Sequence, residues 1–432
     1  MKKYLTLLAG AMFLTACSND AEDIAGNNGY QPSTDAIAFE FNGDEVENAT
    51  RASGAIYNDV ALQAEKIGVF TSYTGKLKYE NVTVSPDFMW NQSLTYTGTA
   101  WGYAPLKYWP NALAEVPEYL SFFAYAPYEA APASDKCITD ISDNNVTGDP
   151  WINYRLASKP WDVWNYTDPD PANWTKTEDA NQIDLLFGTR RIGSSAPYTY
   201  EPWTDVTNWD NEATPTAKLI NHKVQFTMKH ALASIGNRIT IGTNAELNGL
   251  ILNYSEIKIY GIKIEYKNLT NKARLILNSA DGTANWKEII SGELTTTRTY
   301  LNMFQTPMTF DGSSLTAVDI PYLNGPTTGA PDPSTSTQGD GLFYIPLKIA
   351  GTEDATATVT LYYRVHILGP NIYKPLETEP AAEASNTFKL DNNLEGKMQG
   401  IALTLGKDYD LLHEVWTLGG TATEPSYSRI HK

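Results

Sequence analysis

Apolar residues recur at every second position in short segments along most of this chain, and that period constrains the fold more than any other feature. From Thr356 to Ile367, the residues Ala357, Val359, Leu361, Tyr363, Val365 and Ile367 fall on one side of an extended backbone. Alternation with a period of two marks a strand with one buried face. Lys66-Ile67-Gly68-Val69-Phe70, Val82-Thr83-Val84, residues 119–125, 224–228, 343–349 and 401–405 read as strands on the same ground. Ile257-Lys258-Ile259 and Ile262-Lys263-Ile264 alternate in opposite phase across Gly261, which predicts a bulge there. A helical period does not persist beyond one or two turns. Aromatic residues make up 12% of the chain, with 26 Tyr and 11 Trp, a composition that suits pleated surfaces. Many short strands with turn signals between them predict an all-β chain of β-sandwiches.

Charge narrows the function classes. The chain has 432 residues, enough for two or three domains, and 42% of them are apolar, enough for real cores. Acids outnumber bases 50 to 32, for a net charge of −18. A nucleic-acid partner needs a basic surface, and so does an anionic membrane, so neither fits. Two Cys cannot make a disulfide framework.

The N-terminus reads as an address. Lys2 and Lys3 precede an apolar run that ends Leu14-Thr15-Ala16-Cys17. The run is too short to span a bilayer, and small residues before a Cys resemble a bacterial lipobox. Residues 1–16 are then a lipoprotein signal peptide and Cys17 the lipidated first residue of the mature chain; ordinary secretion needs only the small residues. From Ser18 to Arg51 there are eight acids and one base. Within this acidic leader, residues 17–51, Ile37, Phe39 and Phe41 alternate with smaller or polar neighbours, the pattern of a half-buried strand. Arg51, in Thr50-Arg51-Ala52-Ser53-Gly54, is the first basic residue after Cys17. It offers a basic-specific protease one target in an accessible segment, or it simply offsets local acidity.

Enzyme signatures are absent. The chain has no Gly-x-Ser-x-Gly elbow, no phosphate-binding loop ending Gly-Lys-Ser/Thr and no dinucleotide fingerprint. His413-Glu414 lacks the second His of a zinc protease. Asp140-Ile141-Ser142-Asp143-Asn144-Asn145 and Asp168-Pro169-Asp170 could hold Ca²⁺ but match no EF-hand loop, and read better as polar turns. No catalytic residue, metal or cofactor is assigned. The feature suited to a small molecule is a Trp-rich stretch at about 149–210, with Trp151, Trp161, Trp164, Trp174, Trp203 and Trp209 among Asp, Asn and Pro. Exposed indoles at Trp151, Trp161, Trp164 and Trp174 would stack on sugar rings; buried ones would form a small core of their own.

In order along the chain, these segments resemble the fimbrillins, lipoprotein precursors of type V pili in Bacteroidota. The resemblance is carried by the lipobox at Cys17, the strand at 37–41 with Thr50-Arg51-Ala52 after it, and Ile67-Gly68-Val69-Phe70. Further stretches are Trp101-Gly102-Tyr103-Ala104-Pro105-Leu106-Lys107-Tyr108-Trp109-Pro110 and Leu120-Ser121-Phe122-Phe123-Ala124-Tyr125-Ala126-Pro127. Asp184-Leu185-Leu186, Phe226-Thr227-Met228-Lys229-His230-Ala231-Leu232 and Glu395-Gly396-Lys397 complete it.

The resemblance implies two consecutive Greek-key, transthyretin-like β-sandwich domains. The first would span 52–216 with the Trp-rich insertion, and the second 217–432 with a polar tail. It implies a surface lipoprotein held at the outer membrane by the lipid on Cys17 alone, a non-enzymatic fimbrial or adhesin role, and other fimbrial subunits as partners. An arginine-specific protease would cut between Arg51 and Ala52, the strand of Ile37, Phe39 and Phe41 would leave, and a neighbour's strand would replace it. The runner-up is a non-polymerising surface lipoprotein that binds glycans through the Trp-rich insertion; host or bacterial surface glycans or proteins are further candidate partners. His230 stands beside Met228 and Leu232 and carries no chemistry. The polar tail from Thr421 to Lys432 favours a tip or accessory role over a stalk.

Overall fold

A computed structural model describes residues 32–43, 59–110, 117–157, 163–164, 176–177, 183–193, 197–208, 210, 217–251, 255–289, 292–310, 318–320, 342–367, 382–392, 398–406, 411–421 and 424–429. The chain is nearly all β; the described helices are short, Asp59–Ala64 and Ala245–Ile251 with a 3-10 turn at Tyr79–Asn81. Asn244 caps the second helix, its side-chain oxygen accepting from the backbone N–H of Leu247 at 2.7 Å. Among the described residues, no helix is long and apolar enough to cross a membrane.

Among the described residues, nine strands form the first sheet. Its main path runs Ala38–Gly43, Lys223–His230, Leu186–Ile192, Tyr119–Ala126, Lys66–Gly75, Met89–Tyr96 and Trp101–Gly102. Thr199–Glu201 adds to Leu186–Ile192, and Trp203–Val206 to Tyr119–Ala126. The alternation of Tyr119–Ala126 sorts its side chains between two cores. Leu120, Phe122, Ala124 and Ala126 face one hydrophobic cluster, and Phe123 and Tyr125 face another. This sheet is therefore buried on both faces, which is why its central strand reads as a nearly continuous apolar run.

Immediately after His230 the chain passes through Ala231 and Leu232 into a second group of sheets. Ala233–Thr243 lies between Met398–Leu405, with which it runs parallel, and Val318–Ile320. Leu342–Tyr344 also pairs with it. A four-stranded antiparallel sheet is ordered Thr295–Phe310, Ser255–Thr270, Thr356–Ile367 and Ala382–Lys389. The predicted face is the buried one, with Ala357, Val359, Leu361 and Tyr363 in the core. The register slips between Ile259 and Gly261, which is the bulge expected at that glycine.

Several segments differ from the sequence reading. Residues 82–84 form no strand; they follow the 3-10 turn, and the Gly148 N–H donates to the Val84 carbonyl at 2.9 Å. The strand expected over 343–349 stops at Tyr344, because Pro346 has no N–H to continue a ladder. Leu186–Ile192, within the stretch read as an insertion, is a central strand, and so is Lys223–His230, beyond the boundary drawn at 217. A four-stranded sheet of Ile138–Ile141, Trp151–Arg155, Lys272–Ile276 and Asn285–Glu288 also joins strands from either side of that boundary. The tail is paired rather than free: Leu411–Thr421 runs antiparallel to Met398–Leu405 and turns back onto Glu424–Arg429.

Candidate functional site

The leader strand sits in a slot between two sheet edges. Ala38–Gly43 runs parallel to Lys223–His230, with Phe39 opposite Val224 and Phe41 opposite Phe226. The preceding residues, Pro32–Ala36, pair antiparallel with Tyr108–Pro110. Where the leader changes partners, the Ile37 N–H donates to the Lys107 carbonyl at 2.9 Å. The Tyr103 hydroxyl donates to the Ile37 carbonyl, also at 2.9 Å. Burial pushes the Tyr103 phenol up to about 12, partly offset by the Lys107 backbone hydrogen bond. It therefore stays protonated and able to donate throughout the physiological range.

Period-two alternation places Ile37, Phe39 and Phe41 inward, at 2%, 3% and 4% exposure. Phe39 meets Tyr103 and Phe122 edge-on, each with ring centroids 5.7 Å apart. Phe41 stacks on Phe226 at 5.3 Å and meets Trp101 edge-on at 5.0 Å. These separations suit both offset stacking and edge-to-face contact. On the outer face, Lys223 Nζ lies 3.5 Å from Glu40 Oε2, a solvated pair worth about 0–1 kcal/mol. The three buried side chains contribute far more, about 1.5–3 kcal/mol each and roughly 5–9 kcal/mol together. That total is comparable with the ~5–15 kcal/mol separating a folded domain from its unfolded chain.

The strand that receives the leader is braced from within the same core. Trp203 is buried, donates its indole N–H to the Gln225 carbonyl at 3.2 Å and meets Phe226 edge-on at 6.1 Å. At the far end of the same strand, His230 Nδ1 lies 2.7 Å from Asp184 Oδ2, with both side chains almost wholly buried. Cys137 is buried too, and that burial pushes its thiol up, away from nucleophilic character.

The Trp residues do not gather into one described surface. Trp151 starts a core strand, and the Arg274 guanidinium lies 3.6 Å from the centre of its ring, covering one face. Trp164 lies in a two-stranded ribbon opposite Lys176. Trp203 belongs to the same core as the leader's inward side chains. Trp161, Trp174 and Trp209 lie outside the described residues, as do Cys17, Arg51 and Ala52. Sequence reasoning found the inward side chains of the leader but not the residues that hold them. Trp101 and Tyr103 appeared there only within a family-like stretch, and Phe226 only as a strand residue. Their aromatic character was visible, but their meeting at one slot depends on pairing between distant segments.

The fimbrium subunit Fim1C of Phocaeicola vulgatus is 25% identical to this chain over 276 residues. The chain is similar to a fimbrium subunit. The match covers 61% of the chain, which spans 60% of the length of that curated relative. The fold resembles the crystal structure of a fimbrial protein from Bacteroides vulgatus, with a TM-score of 0.50 at 18% identity. That likeness covers 89% of this chain and 99% of the other, and at this identity it bears on fold alone. No family model matches the chain.

Proposed function

We propose that this chain is the precursor of a fimbrial subunit serving cell adhesion, and that its leader strand is a temporary occupant of the slot. The observation that carries the reading is the placement of Ile37, Phe39 and Phe41: a segment N-terminal to Arg51 completes the core of a sheet built from residues after it. In this scheme the precursor is exported as a lipoprotein through Cys17 and reaches the outer membrane. An arginine-specific protease cuts between Arg51 and Ala52. The cut severs the lipid tether and the covalent link to the leader in one step. Loss of the leader uncovers apolar seats and an unpaired edge of Lys223–His230, a surface that must be filled or will aggregate. A strand from a neighbouring fimbrial subunit fills it by main-chain pairing, with specificity from the alternate side-chain seats.

The test is Arg51→Ala expressed in cells beside the natural chain. N-terminal sequencing of the natural protein in surface fibres should begin at Ala52. The variant should remain full length below Cys17 and be absent from fibres. Fibres assembled from uncut Arg51→Ala subunits would contradict the reading.

A further inference from the structure

The slot is shaped for particular side chains, and their pattern points to the kind of partner that can replace the leader. Its three seats are not equivalent. Ile37 is a buried aliphatic residue where the leader changes partners, whereas Phe39 and Phe41 are each walled by aromatic rings at 5.0–5.7 Å. A leucine in either ring seat would forfeit edge and stacking contacts and leave part of the wall without partner atoms. A polar group in any of the three would be buried without its water. On the premise of the exchange reading above, we infer that the replacing strand comes from a different protein, not from a second copy of this chain. It runs parallel to Lys223–His230 and carries an aliphatic residue followed by two aromatics at alternate positions.

The chain's own paired tail fails this pattern in every register. Within Leu411–Thr421, alternate triplets place His413, Glu414, Thr417, Gly419 or Gly420 in a seat. Within Glu424–Arg429 the triplets are Glu424, Ser426, Ser428 and Pro425, Tyr427, Arg429. The same search along the whole sequence gives one match. Nowhere but at Ile37, Phe39 and Phe41 does an Ile, Leu or Val stand two residues before an alternate aromatic pair. Residues 52–432 of a second copy therefore hold no such strand.

The experiment grafts candidate strands into the leader of the full, uncut chain and reads hydrogen exchange at the backbone amides of Lys223–Met228. The reference is the natural leader, with Glu40→Ala as the outer-face control, whose side chain fills no seat and which should exchange alike. Phe39→Leu with Phe41→Leu should accelerate exchange at these amides by at least about tenfold. A graft of residues 412–416 onto 37–41 places Glu in the middle seat and should abolish protection. If that graft unfolds the chain, the double leucine variant still decides the matter. Protection equal to the natural leader in the double leucine variant or in the tail graft would overturn the inference. Neither arm requires cleavage after Arg51, so failure of the exchange reading and failure of this one are separate results.

Discussion

Replacing Phe41 by alanine should destabilise the precursor by about 3–5 kcal/mol, the range for a phenylalanine removed from a packed core. The residue is almost fully buried, stacked on Phe226 and edged by Trp101, so truncation deletes contacts on two sides at once. Both walls are large rings fixed by other neighbours: Phe226 also meets Trp203, and Trp101 also meets Tyr96. They cannot easily collapse into the space, which puts the loss toward the upper part of that range. Glu40→Ala, one residue away on the outer face, removes only the solvated pair with Lys223 and should change stability by less than about 1 kcal/mol. Urea unfolding of the precursor followed by tryptophan fluorescence measures both. Equal, small effects of the two substitutions would mean that the leader does not share the core.

Asp184→Ala should be comparably severe, at about 3–5 kcal/mol, for a different reason. The carboxylate is wholly buried 2.7 Å from His230 Nδ1, and removing either member of a buried pair takes that contact from the other in a desolvated site. The pair lies where two strands meet: Leu186 stands opposite His230, and the Ala231 N–H donates to the Leu185 carbonyl at 2.8 Å. It thus secures the end of the strand that receives the leader, at the point where the chain leaves the first sheet. His230→Ala should cost a similar amount, and the double substitution should cost clearly less than the sum of the singles, because the two act as one unit. Chemical denaturation of the four proteins closes this cycle. Strict additivity would show that the two side chains do not stabilise one another.

What the sequence made legible was local. The period of two marked Thr356–Ile367 and exposed the phase change at Gly261, because both depend only on which face a side chain takes. The same period singled out Ile37, Phe39 and Phe41 in an acidic, otherwise polar leader. It could not say which strand lies beside them, since alternation fixes a buried face and not a neighbour. The parallel pairing with Lys223–His230 joins segments separated by most of the first sheet, so it has no local signature. For the same reason local pattern alone does not reveal that Lys223–His230 and Leu186–Ile192 are neighbours in the first sheet. Composition does not say which Trp of the Trp-rich stretch is buried: Trp203 lies in the core, bracing Gln225 and Phe226, whereas Trp151 is half-buried with Arg274 over one face of its ring. Polar composition likewise hid the pairing of the tail, because Glu424–Arg429 joins the sheet at its edge, where one side of a strand need bury little.

The central claim is that the leader is held by noncovalent contacts alone once the chain is cut, and then leaves. Hydrogen exchange across Lys223–Met228, followed by mass spectrometry before and after complete cleavage at Arg51, tests it most directly. The account predicts that these amides are protected in the precursor, lose protection as the 17–51 fragment dissociates, and regain it when subunits assemble. Amides that stay protected after full cleavage, with residues 32–43 still bound in the assembled fibre, would contradict it.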